Sequence, residues 1–588
     1  MTTIILRPNH RRRRASRPRT TRDIRVNVPT THADDEREKQ REFHHGASAL
    51  MMNASHAVKT NTSTQLYASP PPPLSVGSYM RGPTTTLRTA GISTPIISSS
   101  PSSCRRTARR VSVSSVSSSV KTCRAARRVR RFAMPPTTDD TADADVEAIA
   151  RMVSWAAARG ASGSGLTVAL DTTGGGGRGL EATRDVTRGQ VVLATPLTVG
   201  IVDDEKGHPE SAREVMRDAP WGVRLACRLL QEKKKGEESE YAAYAATLPN
   251  RVDTSPIHYD DAAIADVQYP PAMSEIKEMQ AACRKWHETL REKAPEALGA
   301  AYFDYEEFAN AVGVVHSRTY GVASAEDNAG YFRALLPLAD MLNHGGDIVT
   351  GLTRDEKTGE VTDMTIEATD NVAWSTLGDD GVIQFAATRD IAEGEEALMS
   401  YGERSNDHFL IYYGFAPSNN PHDDVVLFSN FEHAMVWHSV AHPELWEGPE
   451  AGVREKAAND AFERVTKALE ADGSADAALA ASEPRLKTLS AGRVDARLLS
   501  AYAAMYAGTE ASGNVDGPVC GDELKFARAD IAARCEQLLS QMPTTFEDDL
   551  ARLQSGDVGS DSERVRLIYR ACKKKTLKET AEAFKLSS

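Results

Sequence analysis

The sequence predicts an α+β protein in which a β-rich unit carries a helical insertion and is followed by an all-helical unit. Three observations predict it. Short apolar runs bounded by turn residues fill about 163–200 and again about 331–400. Apolar residues at helical spacing fill about 206–320 between them. The same spacing returns from about 430 and continues to the end. At 588 residues the chain is long enough for roughly two to four domains and a large core.

The chain opens on a basic leader. The net charge of -12 hides a split: residues 1–138 carry 25 Lys+Arg and 6 Asp+Glu, or +19, whereas residues 139–588 carry 45 and 76, or -31. No Asp or Glu occurs between Phe43 and Thr138, a stretch rich in Ser, Thr, Arg and Ala. It has too little apolar periodicity to offset the entropy of ordering, so residues 1–138 are expected to be disordered in isolation. Acid-poor, Ser- and Arg-rich composition is that of an organellar transit peptide, and the excess of Ser favours the chloroplast stroma. Met80 begins MRGPTTTLRTAGISTP, which would suit a transit-peptide start, with residues 1–79 then an upstream extension. Two other readings stay open: a plain basic tail, and a nuclear or nucleic-acid patch at Arg11–Arg14 that would place the protein in the nucleus or cytoplasm. The acidic body argues against nucleic-acid binding by bulk charge. No run reaches 18 apolar residues, so no membrane-spanning helix is expected. Seven cysteines, without Cys-x-x-Cys or zinc-finger spacing, read as reduced thiols and no metal site.

After Pro135-Pro136 the composition changes. Val146, Ile149, Met152 and Val153 share one helical face, with Gly160 as its stop. GLTVALD, LEAT and QVVLATPL then read as strands. In the insertion, Phe308, Val312 and Val315 mark the buried face of its last helix. VTDMTIEA, VIQFAAT and EALMSY are strand-like again. In the helical unit, Leu498, Ala501, Tyr502 and Met505 form one stripe, Ile531, Cys535, Leu538 and Met542 a second, and Val565, Ile568, Tyr569 and Cys572 a third. Residues 472–484, DGSADAALAASEP, read as a flexible connection.

Three segments could carry chemistry. TTGGGGRGLEATRD holds four glycines in a row. No Gly-Lys-Ser/Thr step follows, which disfavours a phosphate loop. A plain loop and a backbone platform against a ligand both remain. LLPLADMLNHGGD sets Asp340, Asn343 and His344 beside an apolar run, where a satisfied core cluster is the ordinary alternative. EALMSYGERSNDHFLIYYGF ends a strand on Tyr401-Gly402 and repeats Tyr-Gly at Tyr413-Gly414. The two phenols are either core aromatics or the mouth of one pocket.

Taken in order, Gly177-Arg178-Gly179, ADMLNH, and SYGERSN with YGF resemble the SET-domain methyltransferases, specifically the subclass of Rubisco large-subunit lysine methyltransferase and its relatives. The helices after SAREVMRDAPWG resemble that subclass's insertion, and CEQLLSQMPTTFEDDL with SERVRLIYRACKKK its C-terminal substrate-binding domain. The resemblance implies a β-rich, pseudoknotted SET fold over 146–416 with the insertion at about 206–320, and a helical substrate-binding domain over 425–585. It implies S-adenosylmethionine as cofactor, bound by Gly176, Gly177, Arg178, Arg318, Asn343 and His344. Gly176 stands where the family usually has an acidic residue. Arg318 would pair with the cofactor carboxylate as a bidentate fork and, with Asp340 and Tyr413, line the substrate side; alone it would read as a solvated helix end. Tyr401 takes the catalytic position. Gly345 stands where the family usually has Ser, with little cost expected. No Tyr lies between Tyr331 and Tyr401, where relatives carry a further one in the stretch after the Asn-His step; Trp374 and Phe385 are the aromatics in the neighbourhood of the strands.

Methyl transfer to an amine needs a free lone pair aimed at the methyl. A lysine with pKa near 10.4 is neutral about once in 250 molecules at pH about 8, a cost of about 3.3 kcal/mol. A narrow apolar channel lowers that pKa without a dedicated base, and alignment supplies much of the rate. The expected activity is therefore protein-lysine N-methylation of a plastid protein, with the Rubisco large subunit and fructose-bisphosphate aldolase as the substrates the resemblance brings forward. The alternatives are another target on the same fold (a ribosomal protein, a histone, or a histidine as in the actin-modifying relative) and a weakly catalytic, cofactor-binding interaction module. The enzyme is expected to be metal-free and monomeric, with no membrane or nucleic-acid partner. A folded substrate would meet a local patch on the helical domain, such as Lys573–Lys575, rather than the overall charge.

Overall fold

The computed structural model describes residues 139–585, apart from 171–176, 205–206, 299–303, 324–330, 355–360, 376, 379 and 509–520. Of the leader it describes only the backbone strands Thr2–Leu6, Ile24–Val28 and Thr85–Arg88. The leader's expected disorder otherwise lies outside the described residues, as does Gly176.

The first body helix, Asp139–Ala158, buries Ile149, Met152 and Val153 with Val146 beside them, and Gly160 follows at φ 93°. The main sheet of the body is mostly antiparallel. Its strands run in the order Ser162–Gly163, Val191–Pro196, Val382–Ala387, Val372–Trp374, Glu396–Met399, Arg178–Ala182 and Leu166–Leu170. Strands from either side of the insertion thus interleave in one sheet. The two-residue strand Asn343–His344 joins off the path, parallel to Leu398–Met399.

The insertion's long helices are Trp221–Lys235, Pro270–Lys293 and Tyr305–Arg318. The last begins in a reciprocal capping box: Asp304 accepts from the Glu307 amide at 2.8 Å while Glu307 reaches back to the Asp304 amide. Phe308, Val312 and Val315 are fully buried, as their spacing predicts.

The C-terminal region departs from the all-helical expectation in two places. Asp424–Phe428, Leu486–Leu489 and Arg493–Val494 form a small antiparallel sheet. Four- and two-residue strands are too short to carry a readable alternation. The supposed flexible connection holds the helix Ala475–Ser482, N-capped by Ser474 directly after Gly473 in the left-handed region.

The final helix, Asp561–Lys585, differs more. Tyr569 is buried as expected, but so are Leu567, Arg570, Lys573, Lys574 and Leu577. Lys573 and Lys574 therefore cannot form a docking patch; they are sealed by ion pairs to Asp407, Asp423 and Asp549. Only Lys575 of the triplet reaches solvent, with 41 % of its side chain exposed. One continuous apolar core joins the sheet, the insertion and the C-terminal helices.

Candidate active site

The insertion's last helix ends on Arg318. The chain returns through the strands Thr319–Ala323 and Tyr331–Leu335 into a single 3-10 turn, Ala339–Met341, that carries Asp340. Leu338 enters that turn at φ 68°, ψ -44°. A branched residue with positive φ is strained, and such strain gathers at sites where the surroundings over-determine the backbone.

Asp340 accepts a hydrogen bond from the Tyr244 hydroxyl at 3.2 Å, and its other carboxylate oxygen is buried without a partner. Burial raises its pKa to about 6, against the opposing pull of the Arg318 and Arg178 guanidiniums. Burial also holds Arg318 below its ordinary value, with Asp340 opposing and Arg178 adding to the effect. Arg318 donates to Ser317 Oγ at 2.8 Å.

Asn343 ties three segments together. Its amide donates to the Arg178 carbonyl at 3.0 Å and to Glu396 Oε1 at 2.8 Å. His344 lies one residue on, with Nδ1 accepting the Tyr401 amide at 3.2 Å. Nδ1 is thus the acceptor, and the neutral ring carries its proton on Nε2. Burial lowers the His344 pKa to about 4, so it stays neutral near pH 7. The Gly345 amide then donates to the Met399 carbonyl at 3.0 Å. This is the crossing that the resemblance implies.

Gly345, standing where the family usually has Ser, is tightly packed at the crossing. A Cβ at 345 would lie 2.6 Å from Leu398 Cβ and 3.0 Å from the Asp370 backbone. Neither neighbour is a flexible chain end, so the glycine is required by close approach.

Tyr401 leaves the crossing with its hydroxyl donating to the Leu342 carbonyl at 2.7 Å. Burial pushes its pKa well up, with neighbouring Tyr413 adding to the rise. Tyr413 closes a one-turn π-helix, Phe409–Tyr413, and its ring centroid stands 5.1 Å from that of Tyr401. Such turns are rare and recur at functional sites. Phe409, Phe415 and His344 complete the aromatic wall, with His344 at 4.7 Å from Phe409 and 5.6 Å from Phe415.

Arg318, Asp340, Asn343, His344, Tyr401, Tyr413 and Arg178 therefore meet around one crossing. Gly177 is exposed at φ 70°, with no described residue within 4 Å of where a Cβ would sit, one residue before the strand Arg178–Ala182. Sequence reasoning missed Tyr244, which orients Asp340, and Tyr320, two residues after Arg318. The Tyr320 hydroxyl donates to the Ala339 carbonyl at 2.6 Å. Trp374 and Phe385 pack edge-on against it at 5.7 and 5.8 Å. Nothing in the spacing of Tyr244 marks it, since its partner lies 96 residues away.

Two other features lie apart from these residues. A cavity of about 310 Å³ opens between the strand Asp347–Arg354, the 418–423 loop and the final helix, lined by Asp423, Cys572 and Glu579. In the C-terminal region His438, His442 and Asp530 bring possible ligand atoms together. There the Trp446 indole donates to His438 Nδ1 at 3.0 Å, leaving the neutral ring's proton on Nε2, toward Asp530. That tautomer suits a hydrogen-bonded network and offers a metal no lone pair from His438.

No family model matches the chain. Among curated proteins it is similar to actin-histidine N-methyltransferase of Canis lupus familiaris, 28% identical over 290 residues, which cover 47% of this chain and 44% of that protein. The Homo sapiens protein of that name is 27% identical over 290 residues, covering 47% and 43%. The match thus spans under half of each relative. Among solved structures, the SET domain of LSMT bound to MeLysine and AdoHcy superposes with a TM-score of 0.50 at 18% identity, covering 74% of this chain and 91% of that one. Rubisco LSMT bound to AdoMet gives 0.49 at 17% identity over the same shares. With interleaved strands, a helical insertion and a helical C-terminal region around the Asn343–His344 crossing, the chain has the SET fold of the LSMT structure.

Proposed function

We propose that the chain transfers a methyl group from S-adenosylmethionine to a side-chain nitrogen of a protein. The observation that carries this reading is the convergence of Arg318, Asp340, Tyr401 and Tyr413 around the Asn343–His344 crossing. The residues present fit the cofactor. Arg318 has no carboxylate within ion-pair distance among the described residues, and a ligand carboxylate would complete it. Among the described residues, the left-handed backbone at Gly177 leaves room for a ligand against the main chain. Gly177, Arg178, Arg318, Asn343 and His344 would hold the cofactor, which supplies a methyl on a sulfonium.

The remaining chemistry belongs to the protein. Tyr401 spends its proton on the Leu342 carbonyl, so its oxygen lone pairs are left to accept from the incoming nitrogen. It does not act as a general base, because burial keeps it protonated. The unpartnered Asp340 oxygen is a second acceptor for that nitrogen's N–H. The rings of Tyr401, Tyr413, Phe409 and Phe415 exclude water and favour a neutral amine.

The finer reading is a lysine of a plastid protein, such as the Rubisco large subunit or fructose-bisphosphate aldolase, bound by the helical C-terminal region of a monomer. The composition of the leader supports import into the chloroplast. The similarity to actin-histidine N-methyltransferases favours a second reading, a histidine acceptor. A histidine with pKa near 6.5 is already neutral near pH 8 and needs no deprotonation. Labelled S-adenosylmethionine added to plastid extract, with mass spectrometry of the modified peptide, decides between lysine and histidine. No incorporation into plastid or cytosolic extract would reject the activity. An N-terminus of the mature protein near 134–140 supports import; an intact Arg11–Arg14 refutes it.

A further inference from the structure

We propose that Lys573 of the final helix is a positioning residue for the aromatic wall, so that the helical C-terminal region is a working part of the active site. This rests on the methyl-transfer reading above. A lysine ammonium group has three donors. Lys573 Nζ lies 2.6 Å from Asp407 Oδ1, 2.7 Å from Asp423 Oδ1 and 2.7 Å from the Asp424 carbonyl, and its side chain is fully buried. Two donors go to Asp423 and the Asp424 carbonyl, Asp407 is the ion-pair partner, and all three belong to the segment that carries or follows the Tyr413 turn.

Asp407 sits in the short helix Asn406–His408, which runs directly into the π-helix Phe409–Tyr413. Its Oδ1 also receives the Tyr569 hydroxyl at 2.6 Å, again from the final helix. Asp423 accepts the Asn406 amide at 2.9 Å, so Lys573 grips the start of the turn from two sides. The other end is held by Gly414 in the left-handed region, where a Cβ would meet Thr254 Oγ1 of the insertion at 2.7 Å. The π-turn is thus fixed at its start by the final helix and at its end by the insertion. Its last residue, Tyr413, is the ring that faces Tyr401. A tilt of the turn moves one wall of the site while leaving Arg318 and the crossing in place. Small displacements of a reacting partner carry large rate penalties.

A purely structural role predicts something different. Lys573 also neutralises the buried Asp423 and the half-buried Asp407, and losing it would destabilise the fold whatever happened at Tyr413. The test therefore uses the full chain with Lys573→Met and with Lys573→Met/Asp407→Asn/Asp423→Asn, which removes the uncompensated charge. Thermal unfolding, methyl incorporation into plastid extract, and the ¹⁹F spectrum of fluorotyrosine-labelled protein are compared, with the Tyr413 resonance assigned by its loss in Tyr413→Phe. The expected result for Lys573→Met is a shifted Tyr413 resonance and a kcat lower by about ten-fold or more, with KM for S-adenosylmethionine within about two-fold. The triple variant should regain thermal stability without regaining kcat. Recovery of both together, or an unmoved Tyr413 resonance in Lys573→Met, overturns the proposal. If wild-type protein transfers no methyl, the functional reading fails, and the ¹⁹F shift alone decides whether Lys573 sets the Tyr413 turn.

Discussion

Buried charge is finished differently in two regions of this molecule. Along the final helix every buried cation meets a carboxylate, although Asp423 Oδ2 has no hydrogen-bond partner. Lys574 Nζ meets Asp549 Oδ2 at 2.6 Å, Thr544 Oγ1 at 2.6 Å and Gln268 Oε1 at 2.9 Å. Arg570 pairs with Asp549 at 2.8 Å and with Asp266. Around Asp340 the charges are left short. One carboxylate oxygen has no partner, and Arg318 has no carboxylate within ion-pair distance among the described residues. Folding alone favours satisfied groups, because an orphaned buried polar atom costs about 1–3 kcal/mol. What differs is the cations: Arg570, Lys573 and Lys574 are paired within the fold, whereas Arg318 is left for a ligand.

The largest test of that separation is Asp549→Ala. It leaves Lys574 and Arg570 facing a lost carboxylate in a site where Asp549 and Lys574 are both 0% exposed. Breaking a buried pair from one side costs about 3–5 kcal/mol. Denaturant unfolding should show that loss. A change under about 1 kcal/mol would mean that the network is not what holds the final helix.

Next is the pH dependence at Asp340. Its carboxyl titrates at about 6 when folded, against an ordinary value of 3.8. Between those values the folded state binds more protons than the unfolded one, so stability falls as pH rises. The full penalty, about 3 kcal/mol, is present above pH about 6 and absent below about 4. Asp340→Asn removes this contribution. The stability of the variant minus that of wild type should therefore grow by about that amount between pH 4 and pH 7. A flat difference would show that Asp340 is not held one partner short.

Tyr401→Phe follows. The hydroxyl donates to Leu342 and offers its lone pairs to the acceptor nitrogen. Removal should lower kcat by about 10²-fold, equivalent to about 2.7 kcal/mol, and leave cofactor affinity within about three-fold. Turnover and calorimetry measure the two separately. Equal losses would move Tyr401 from the chemistry to the binding site.

These contrasts also mark what the sequence could and could not disclose. Tyr401, Asn343 and His344 were legible because their motifs are local, each lying within a few residues of its landmark glycine. The helix face of Phe308, Val312 and Val315 was legible because burial there is periodic. Tyr244 was not, because its role comes from a single contact across 96 residues. Lys573 and Lys574 misled for a related reason. A run of lysines reads as solvated, and the carboxylates that bury two of them come from about 25 to 166 residues away in the chain. The Gly345 clash was hidden too, since it depends on the Cβ of Leu398.

The smallest expected effect is the sharpest control. Lys575 sits on the same helix, one residue after Lys574, with the same charge. It lies 3.9 Å from Glu579 and donates to Asn419 Oδ1 at 3.2 Å, with 41 % of its side chain exposed. Water can replace both contacts. Lys575→Ala should therefore shift stability by no more than about 0.5 kcal/mol. Lys575 is also what remains of the expected basic patch. If an acidic substrate docks there by charge, Lys575→Glu raises KM at constant kcat, and the effect shrinks as salt is added. A stability loss matching that of Asp549→Ala would instead show that exposure does not divide the charges of this helix. The contrast with Asp340 would then lose its footing, because partner saturation would no longer explain which charges the fold depends on.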